Sequence, residues 1–274
     1  MTAKRLSKFD KDMLIFGCGT MASAMLARWL DAGIDPDRVT AIRASGAAVI
    51  GGVRTKKAPG RGRKPDILII GVKPQSFGSV TTDIANVAGP DTVVISIMAG
   101  ITLDDLRFAL PDAGQIVRIM PNMPVAQGRG VVITVSEVTA APIPQLAELL
   151  APLGHVHAMQ DEAGFNLVTA LTGCGPAFVY RFVSALAGAA VRLGLNPEDA
   201  ETLARATVDG AVAHMAATQL SPAELATAVA SPGGMTQAGL DVLDSDGRLA
   251  SLLAETLRAA RDRGREITTS MRTD

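Results

Sequence analysis

Two glycine-rich stretches carry the residue types that hold anions. Gly17-Cys18-Gly19-Thr20-Met21-Ala22 stands near one end of the 274-residue chain and Ser231-Pro232-Gly233-Gly234-Met235-Thr236 near the other. A glycine turn that opens a helix presents unbonded N–H groups and the positive end of the helix dipole, a seat for phosphate or carboxylate. In the first stretch Gly17 permits the tight turn. Gly19 lets the backbone approach a pyrophosphate, Thr20 and Met21 begin the helix, and Ala22 takes the third small position, where helix and strand pack closely. In the second, Pro232 is pre-set for a helix start, and Gly233 and Gly234 remove Cβ atoms so that N–H groups reach a carboxylate. Thr236 adds a hydroxyl able to bond a substrate nitrogen or oxygen. The same residues also suit an ordinary βα turn and a capping loop without a ligand.

The elements around the first stretch favour the dinucleotide reading. Met13 to Phe16 is a short apolar run that stops at Gly17, and Met21, Met25, Leu26 and Trp29 then share one helical face up to Gly33. Strand, glycine turn and helix form the context in which such a motif carries weight. Further strands are expected at 39–42, 66–72, 93–97 and 116–120. Their alternation with helices predicts a Rossmann-type doubly wound parallel sheet, an α/β class. Val72-Lys73-Pro74, Met98-Ala99-Gly100 and Met120-Pro121-Asn122 fall just past strand C-termini, where open α/β sheets bind ligands. After the second strand stands Arg43-Ala44-Ser45, with no acid. A guanidinium and a hydroxyl suit a 2′-phosphate, so NADP(H) is preferred, with NAD(H) as the alternative. The basic run from Arg54 to Lys64, broken by Pro59, Gly60 and Gly62, reads as a solvated loop that could add positive potential near the adenosine end. No aromatics interleave it, which argues against nucleic acid.

Composition changes near residue 161. Residues 1–160 read as the dinucleotide-binding domain and 161–274 as an all-α domain for dimerisation and substrate binding. Helices are expected from Asp161 to Ala170, Pro176 to Leu193, Glu198 to about Met215, Thr236 to Leu243 and Leu249 to about Arg265. Asn196-Pro197 supplies a cap and a first-turn proline, and Ser221-Pro222-Ala223-Glu224 has the form of a capping box. Ala185, Ala187, Gly188, Ala189 and Ala190 allow close helix approach, which suits an intertwined homodimer over a monomeric bundle.

Hydrophobic residues make up 48% of the chain and aromatics only 3%, so the core is built mostly from Ala, Val, Leu and Ile. Twenty-six basic against 27 acidic residues give a net charge of −1, and no global field for nucleic acid or an anionic membrane. Cys18 and Cys174 lack CxxC spacing. His155 and His157 alternate as on a strand, and with His214 form no HExxH pair, so no metal is expected. The charged Met1–Asp12 stretch does not read as a secretory signal. Arg181 and Arg192 interrupt the best membrane-span candidate, so no apolar run is expected to reach transmembrane length. The resulting expectation is a soluble cytoplasmic protein.

Together these segments resemble the pyrroline-5-carboxylate reductase family. The markers are Gly17-Cys18-Gly19-Thr20-Met21, Gly71-Val72-Lys73-Pro74, Ser96-Ile97-Met98-Ala99-Gly100-Ile101-Thr102, Arg118-Ile119-Met120-Pro121-Asn122, Gly173-Cys174-Gly175-Pro176-Ala177-Phe178 and the Ser231–Thr236 loop, in matching order. The resemblance implies NAD(P)H-dependent hydride transfer to the C=N carbon of a cyclic imine, yielding L-proline, in homodimers or rings of dimers. By position, the backbone of Gly233, Gly234 and Met235 would hold the substrate carboxylate, and Thr236 would hydrogen-bond the ring nitrogen as the catalytic residue.

The chain departs from the family at Met123, Cys174 and Met235, which would make the pocket more apolar. It departs again at Ala226, where a basic residue is common, and in the Arg54–Lys64 stretch, which replaces what is often a helix. The alternatives are a diverged reductase of another cyclic imine and a non-catalytic NADP-binding regulatory homologue. A β-hydroxyacid-type reaction lacks its lysine: Gly173 to Phe178 and the residue before them offer only Cys174 and Thr172 as polar side chains.

Overall fold

The computed structural model describes residues 5–60, 62, 64–137 and 144–271. The two most apolar runs of the first half form Met13–Phe16 (β1) and Ile67–Ile70 (β4), each buried at every position. Strands buried on both faces belong at the centre of a parallel sheet. Val39–Ile42 (β2) and Arg54–Lys56 (β3) lie on one side of this pair. Val93–Ser96 (β5), Gln115–Pro121 (β6), Gly130–Ser136 (β7) and Gly154–Ala158 (β8) lie on the other. The strand order is β3-β2-β1-β4-β5-β6-β7-β8, whose first six members have the doubly wound order. β6 and β7 pair antiparallel, and β7 and β8 are parallel to each other. The sheet is therefore mostly, not wholly, parallel. Residues 122–129 are too few for a crossover helix, so the chain turns back beside β6.

Side-chain alternation divides the core into two layers. Ile15, Ile67, Ile69 and Ile95 face Met25, Leu26 and Trp29 of Thr20–Asp31 (α1) and Leu149 of Pro144–Leu150 (α4). Leu14, Phe16, Leu68 and Ile70 face Ile84 and Val87 of Phe77–Val87 (α2) and Leu106 of Leu103–Ala109 (α3). The buried Trp29 indole donates to Leu149 O at 2.7 Å and ties α1 to the end of α4.

β3 corrects the expectation of a loop from Arg54 onward. It is an exposed edge strand of three residues, held by parallel pairing to β2. Arg61 and Arg63 of the same basic run lie outside the described residues.

The chain divides into two compact units, Met1–Cys174 with Ala260–Asp274, and Gly175–Ala259. Phe165–Thr172 (α5) belongs to the first. It begins later than Asp161 because Asp161 Oδ1 accepts from Ala163 N and the Glu162 carboxylate is turned toward Arg118. The second unit contains Gly175–Arg192 (α6), Pro197–Ala216 (α7), Pro222–Ala228 (α8), Met235–Asp244 (α9) and the first part of Arg248–Ser270 (α10). Asn196 caps α7 through a 2.9 Å bond from Glu198 N, ahead of Pro197. Ser221 and Glu224 close the capping box of α8: Ser221 N and Oγ both donate to Glu224 Oε2 at 2.7 Å. These bonds hold the Glu224 carboxyl below its ordinary range.

One sequence expectation fails here. The stretch Phe165–Arg192 is long and apolar enough to cross a membrane by length and composition, because Arg181 alone falls inside it and Arg192 only ends it. In the structure it is two helices, α5 and α6, interrupted at Gly173 and Cys174.

Candidate active site

The first cradle is built by three neighbouring strand ends. Gly17 N donates to Ile42 O at 3.0 Å, and Gly71 N to Phe16 O at 2.8 Å, so the loops after β1 and β4 stand side by side. Gly17 has φ +89°, and a Cβ there would lie 2.6 Å from Val72 N. A Cβ on Gly71 would meet Gly17 O at 2.6 Å and stand 3.5 Å from the Ala22 Cβ. Only glycine fits at 17 and 71, and Ala22, 2% exposed, closes the helix onto the strand. Gly19 differs: a Cβ on it would meet nothing within 4 Å. It caps α1 without a side-chain bond. The N–H groups of Thr20 and Met21 at that helix end have no intrahelical acceptor, and the space at Gly19 is open, as a pyrophosphate seat requires.

The end of β2 supplies the second part. Arg43 N donates to Lys56 O at 2.9 Å, which extends the β2–β3 ladder by one rung, and Gly46 N returns to Arg43 O at 2.8 Å. Arg43 Nη1 lies 3.4 Å from the carbonyls of Ala47 and Ala48. Ser45 Oγ accepts from Ala47 N at 3.2 Å, which leaves its own proton for a ligand. The turn Arg43–Ala48 carries no acidic residue. The open face at Gly19 and this acid-free turn fit a dinucleotide bearing a 2′-phosphate.

The remaining expected cofactor residues line the same carboxyl edge. Val72 is half-buried, Lys73 exposed, and Pro74 starts a short 3-10 turn with Lys73 as its cap. Ala99 is exposed, while Gly100 is buried at φ +80° with Ile267 against it. Pro121 is buried. Asn122, 6% exposed, spends its carboxamide on the protein: Nδ2 donates to Thr172 O and Oδ1 accepts from Val131 N, both at 2.9 Å. It orders the turn between β6 and β7 and ties it to α5.

Sequence reasoning singled out no role for the Arg118 side chain, whose surroundings organise this edge. It is 5% exposed, ion-paired to Glu162 and stacked 4.2 Å over the Phe165 ring. Glu162 also accepts from Leu103 N at 3.1 Å, so one pair joins β6, α3 and α5. A cavity of about 260 Å³ opens beside it, lined by Gly100, Arg118, Met120, Thr169, Cys174 and Ile267. Arg118 Nε and Thr169 Oγ1 are buried there without a hydrogen-bond partner among the described residues. An isolated charge in a strand of apolar residues is the sequence signal that marks such a buried cation.

In the second unit, Ser231 O accepts from Gly234 N at 2.9 Å, with Pro232 and a left-handed Gly233 (φ +70°) between them. Proline followed by a left-handed glycine is the residue pattern of a type II turn. Gly234 then caps α9 with no side-chain bond. A Cβ on Gly233 would meet nothing within 4 Å, whereas one on Gly234 would press on Ser231 O at 3.0 Å. Met235, 94% exposed, and Thr236 stand in the first turn of α9. The loop thus brings Ser231, Gly233, Gly234, Met235 and Thr236 around one open helix N-terminus, a seat for a small anion with a hydroxyl beside it.

Comparison with known proteins adds to this geometry. Residues 162–267 match the family model described as pyrroline-5-carboxylate reductase dimerisation, and residues 13–100 match that of NADP oxidoreductase, coenzyme F420-dependent. The pyrroline-5-carboxylate reductase of Pseudomonas aeruginosa is 33% identical over 204 residues, 74% of each chain. The structure of a pyrroline-5-carboxylate reductase from Coxiella burnetii superposes with a TM-score of 0.85 at 28% identity, covering 94% of this chain and 98% of that one. The Plasmodium falciparum pyrroline carboxylate reductase, solved with NADP bound, gives 0.81 at 25% identity over the same shares.

Proposed function

Because the chain belongs to the pyrroline-5-carboxylate reductase family, we propose that it reduces the cyclic imine 1-pyrroline-5-carboxylate to L-proline with NADP(H). The observation that carries this reading is the open, glycine-capped start of α9, with Thr236 beside it, in a chain that also holds the Gly17–Gly19 cradle. Bound NADPH supplies a hydride to the C=N carbon. The backbone of Gly233, Gly234 and Met235 holds the substrate carboxylate, its N–H groups donating to the carboxylate oxygens, and Ser231 O fixes the turn by accepting from Gly234 N. The N–H of the protonated imine donates to Thr236 Oγ, which fixes the ring and holds the nitrogen that receives the C=N electron pair. A protonated imine is already electrophilic, so positioning and charge complementarity suffice, without a His/Asp pair.

On the cofactor side, Gly17, Gly19, Thr20 and Met21 hold the pyrophosphate and Arg43 and Ser45 the 2′-phosphate. Val72, Lys73, Pro74, Ala99, Gly100, Pro121 and Asn122 form the floor along the strand ends. NADP in the Plasmodium relative and the NADP oxidoreductase family match support that cofactor.

Residues 161–274 form the dimerisation and substrate-binding domain in this reading, which the family match over 162–267 supports. The chain is a homodimer. A groove of about 720 Å³ between α6 and α7, lined by Val183, Ala187, Val191, Val208 and Val212 together with the charged Arg205 and Asp209, suits a partner helix. A ring of such dimers and a cytoplasmic location complete the proposal. A bulkier imine is a second reading, favoured by the exposure of Met123 and Met235.

The test is NADPH oxidation by the purified protein with 1-pyrroline-5-carboxylate and identification of proline as product. Proline formation supports the proposal. NADPH binding without turnover, or faster turnover of bulkier cyclic imines, overturns it.

A further inference from the structure

The unexpected strand β3 delivers a lysine to the turn that distinguishes the two nicotinamide cofactors. Through the rung between Arg43 N and Lys56 O, Lys57 follows directly beside the Arg43–Gly46 turn. Its aliphatic stem lies across Gly46: a Cβ there would stand 2.9 Å from Lys57 Cε and 3.1 Å from Cγ. Gly46 also has φ +67°, so the turn favours glycine at this position.

The neighbouring Lys56 goes elsewhere. Its Nζ would lie 3.7 Å from a Cβ on Gly60, and it lines a groove with Arg38, Thr40 and Arg54. Lys57 makes no ion pair with a carboxylate among the described residues. Arg43, the cation expected at this point, directs one guanidinium nitrogen at the carbonyls of Ala47 and Ala48. Ser45 is held by Ala47 N and keeps a free proton to donate. A lysine with no carboxylate partner, its stem laid over an acid-free turn next to a donating hydroxyl, is an arrangement that recognises a phosphate monoester.

We propose that Lys57 joins Arg43 and Ser45 in selecting NADP(H) over NAD(H), by contacting the adenosine 2′-phosphate from above Gly46. The inference rests on the reading of the Gly17–Gly19 and Arg43–Ser45 segments as a dinucleotide site. Lys57 is a specificity residue and takes no part in hydride transfer.

The experiment measures equilibrium binding of NADP+, NAD+ and adenosine 2′-monophosphate to the intact protein by calorimetry. The variants are Lys57→Gln, Lys57→Arg and, as a matched loss of charge on the opposite side of β3, Lys56→Gln. Lys57→Gln is expected to weaken NADP+ and the 2′-monophosphate about tenfold, the scale of one solvent-exposed charge-assisted contact. NAD+ affinity should stay within about twofold of wild type, Lys57→Arg should retain NADP+ affinity, and Lys56→Gln should change neither. Equal weakening of NADP+ and NAD+ by Lys57→Gln overturns the proposal. So does an equal effect of Lys56→Gln, which would mean a diffuse field. If the wild type binds NAD+ as tightly as NADP+, the cofactor preference fails as well, so the wild-type ratio separates the two failures.

Discussion

Gly17 and Gly19 stand two residues apart in one motif, yet the structure assigns them different work, and alanine separates the two. At Gly17 a methyl group meets backbone: 2.6 Å to Val72 N and 2.8 Å to Gly71 C, on a residue with φ +89°. The left-handed conformation costs a non-glycine residue about 1–2 kcal/mol, and the clash with a neighbouring strand end adds a similar amount. Gly17→Ala should therefore destabilise the first unit by roughly 3 kcal/mol and lower its melting temperature by about 6–12 °C, at the 2–4 °C per kcal/mol of a chain this size. At Gly19 the methyl meets nothing within 4 Å and the backbone is extended (φ −83°, ψ −164°). Gly19→Ala should leave the melting temperature within about 2 °C and instead occupy the space of the pyrophosphate, weakening NADPH by about tenfold or more. Thermal unfolding and NADPH fluorescence titration on the two variants read both effects. Wild-type NADPH affinity in Gly19→Ala, or equal thermal losses in both variants, would refute the reasoning.

Three further outcomes follow from the same geometry. Thr236→Ala should lower kcat about 10- to 100-fold while the Kd for NADPH stays within twofold; an equal loss of NADPH binding would sink the assignment of Thr236 to the substrate. Glu162→Ala leaves the buried Arg118 guanidinium without its carboxylate. It should cost about 3 kcal/mol by denaturant unfolding, the low end for a broken buried pair because the Glu162 side chain is 25% exposed. Glu224 is held below the ordinary carboxyl range by the bonds from Ser221, so the folded state favours its ionised form. That contribution is complete above the ordinary carboxyl range and is lost as pH falls through the lower folded value. The start of α8 should then exchange its amide protons faster in acid, and Glu224→Ala should abolish that dependence.

Much of the first unit was legible because its signals are local. The apolar runs of β1, β4 and β5 bury on both faces, and the Gly17 turn follows directly from its residues. Asn196-Pro197 and Ser221-to-Glu224 fold as capping chemistry dictates. The misses share a cause: structure set by partners distant in sequence. β3 has the composition of a solvated loop and exists only through its ladder to β2. The antiparallel β7 follows from a short connection, not from any strand signal that distinguishes it from a parallel one. Arg118 looks like an ordinary charge until Glu162 and Phe165 arrive from a helix region forty residues on. The glycine positions of both cradles were readable, but the carboxamide of Asn122 was not, because its bonds to Thr172 and Val131 depend on how β6, β7 and α5 meet.

The second unit turns much of its apolar surface outward: Val179, Tyr180, Phe182, Leu186, Leu203, Val212, Leu252 and Leu253 are all exposed in the isolated chain. An apolar surface of this extent marks a face that a partner covers. Where a second copy covers this surface, the stability of the unit carries a mass-action term. Dilution then weakens the folded dimer by mass action. A substitution in the α6–α7 groove can abolish activity at low protein concentration and leave it intact at high concentration, without any change in the residues that handle the substrate.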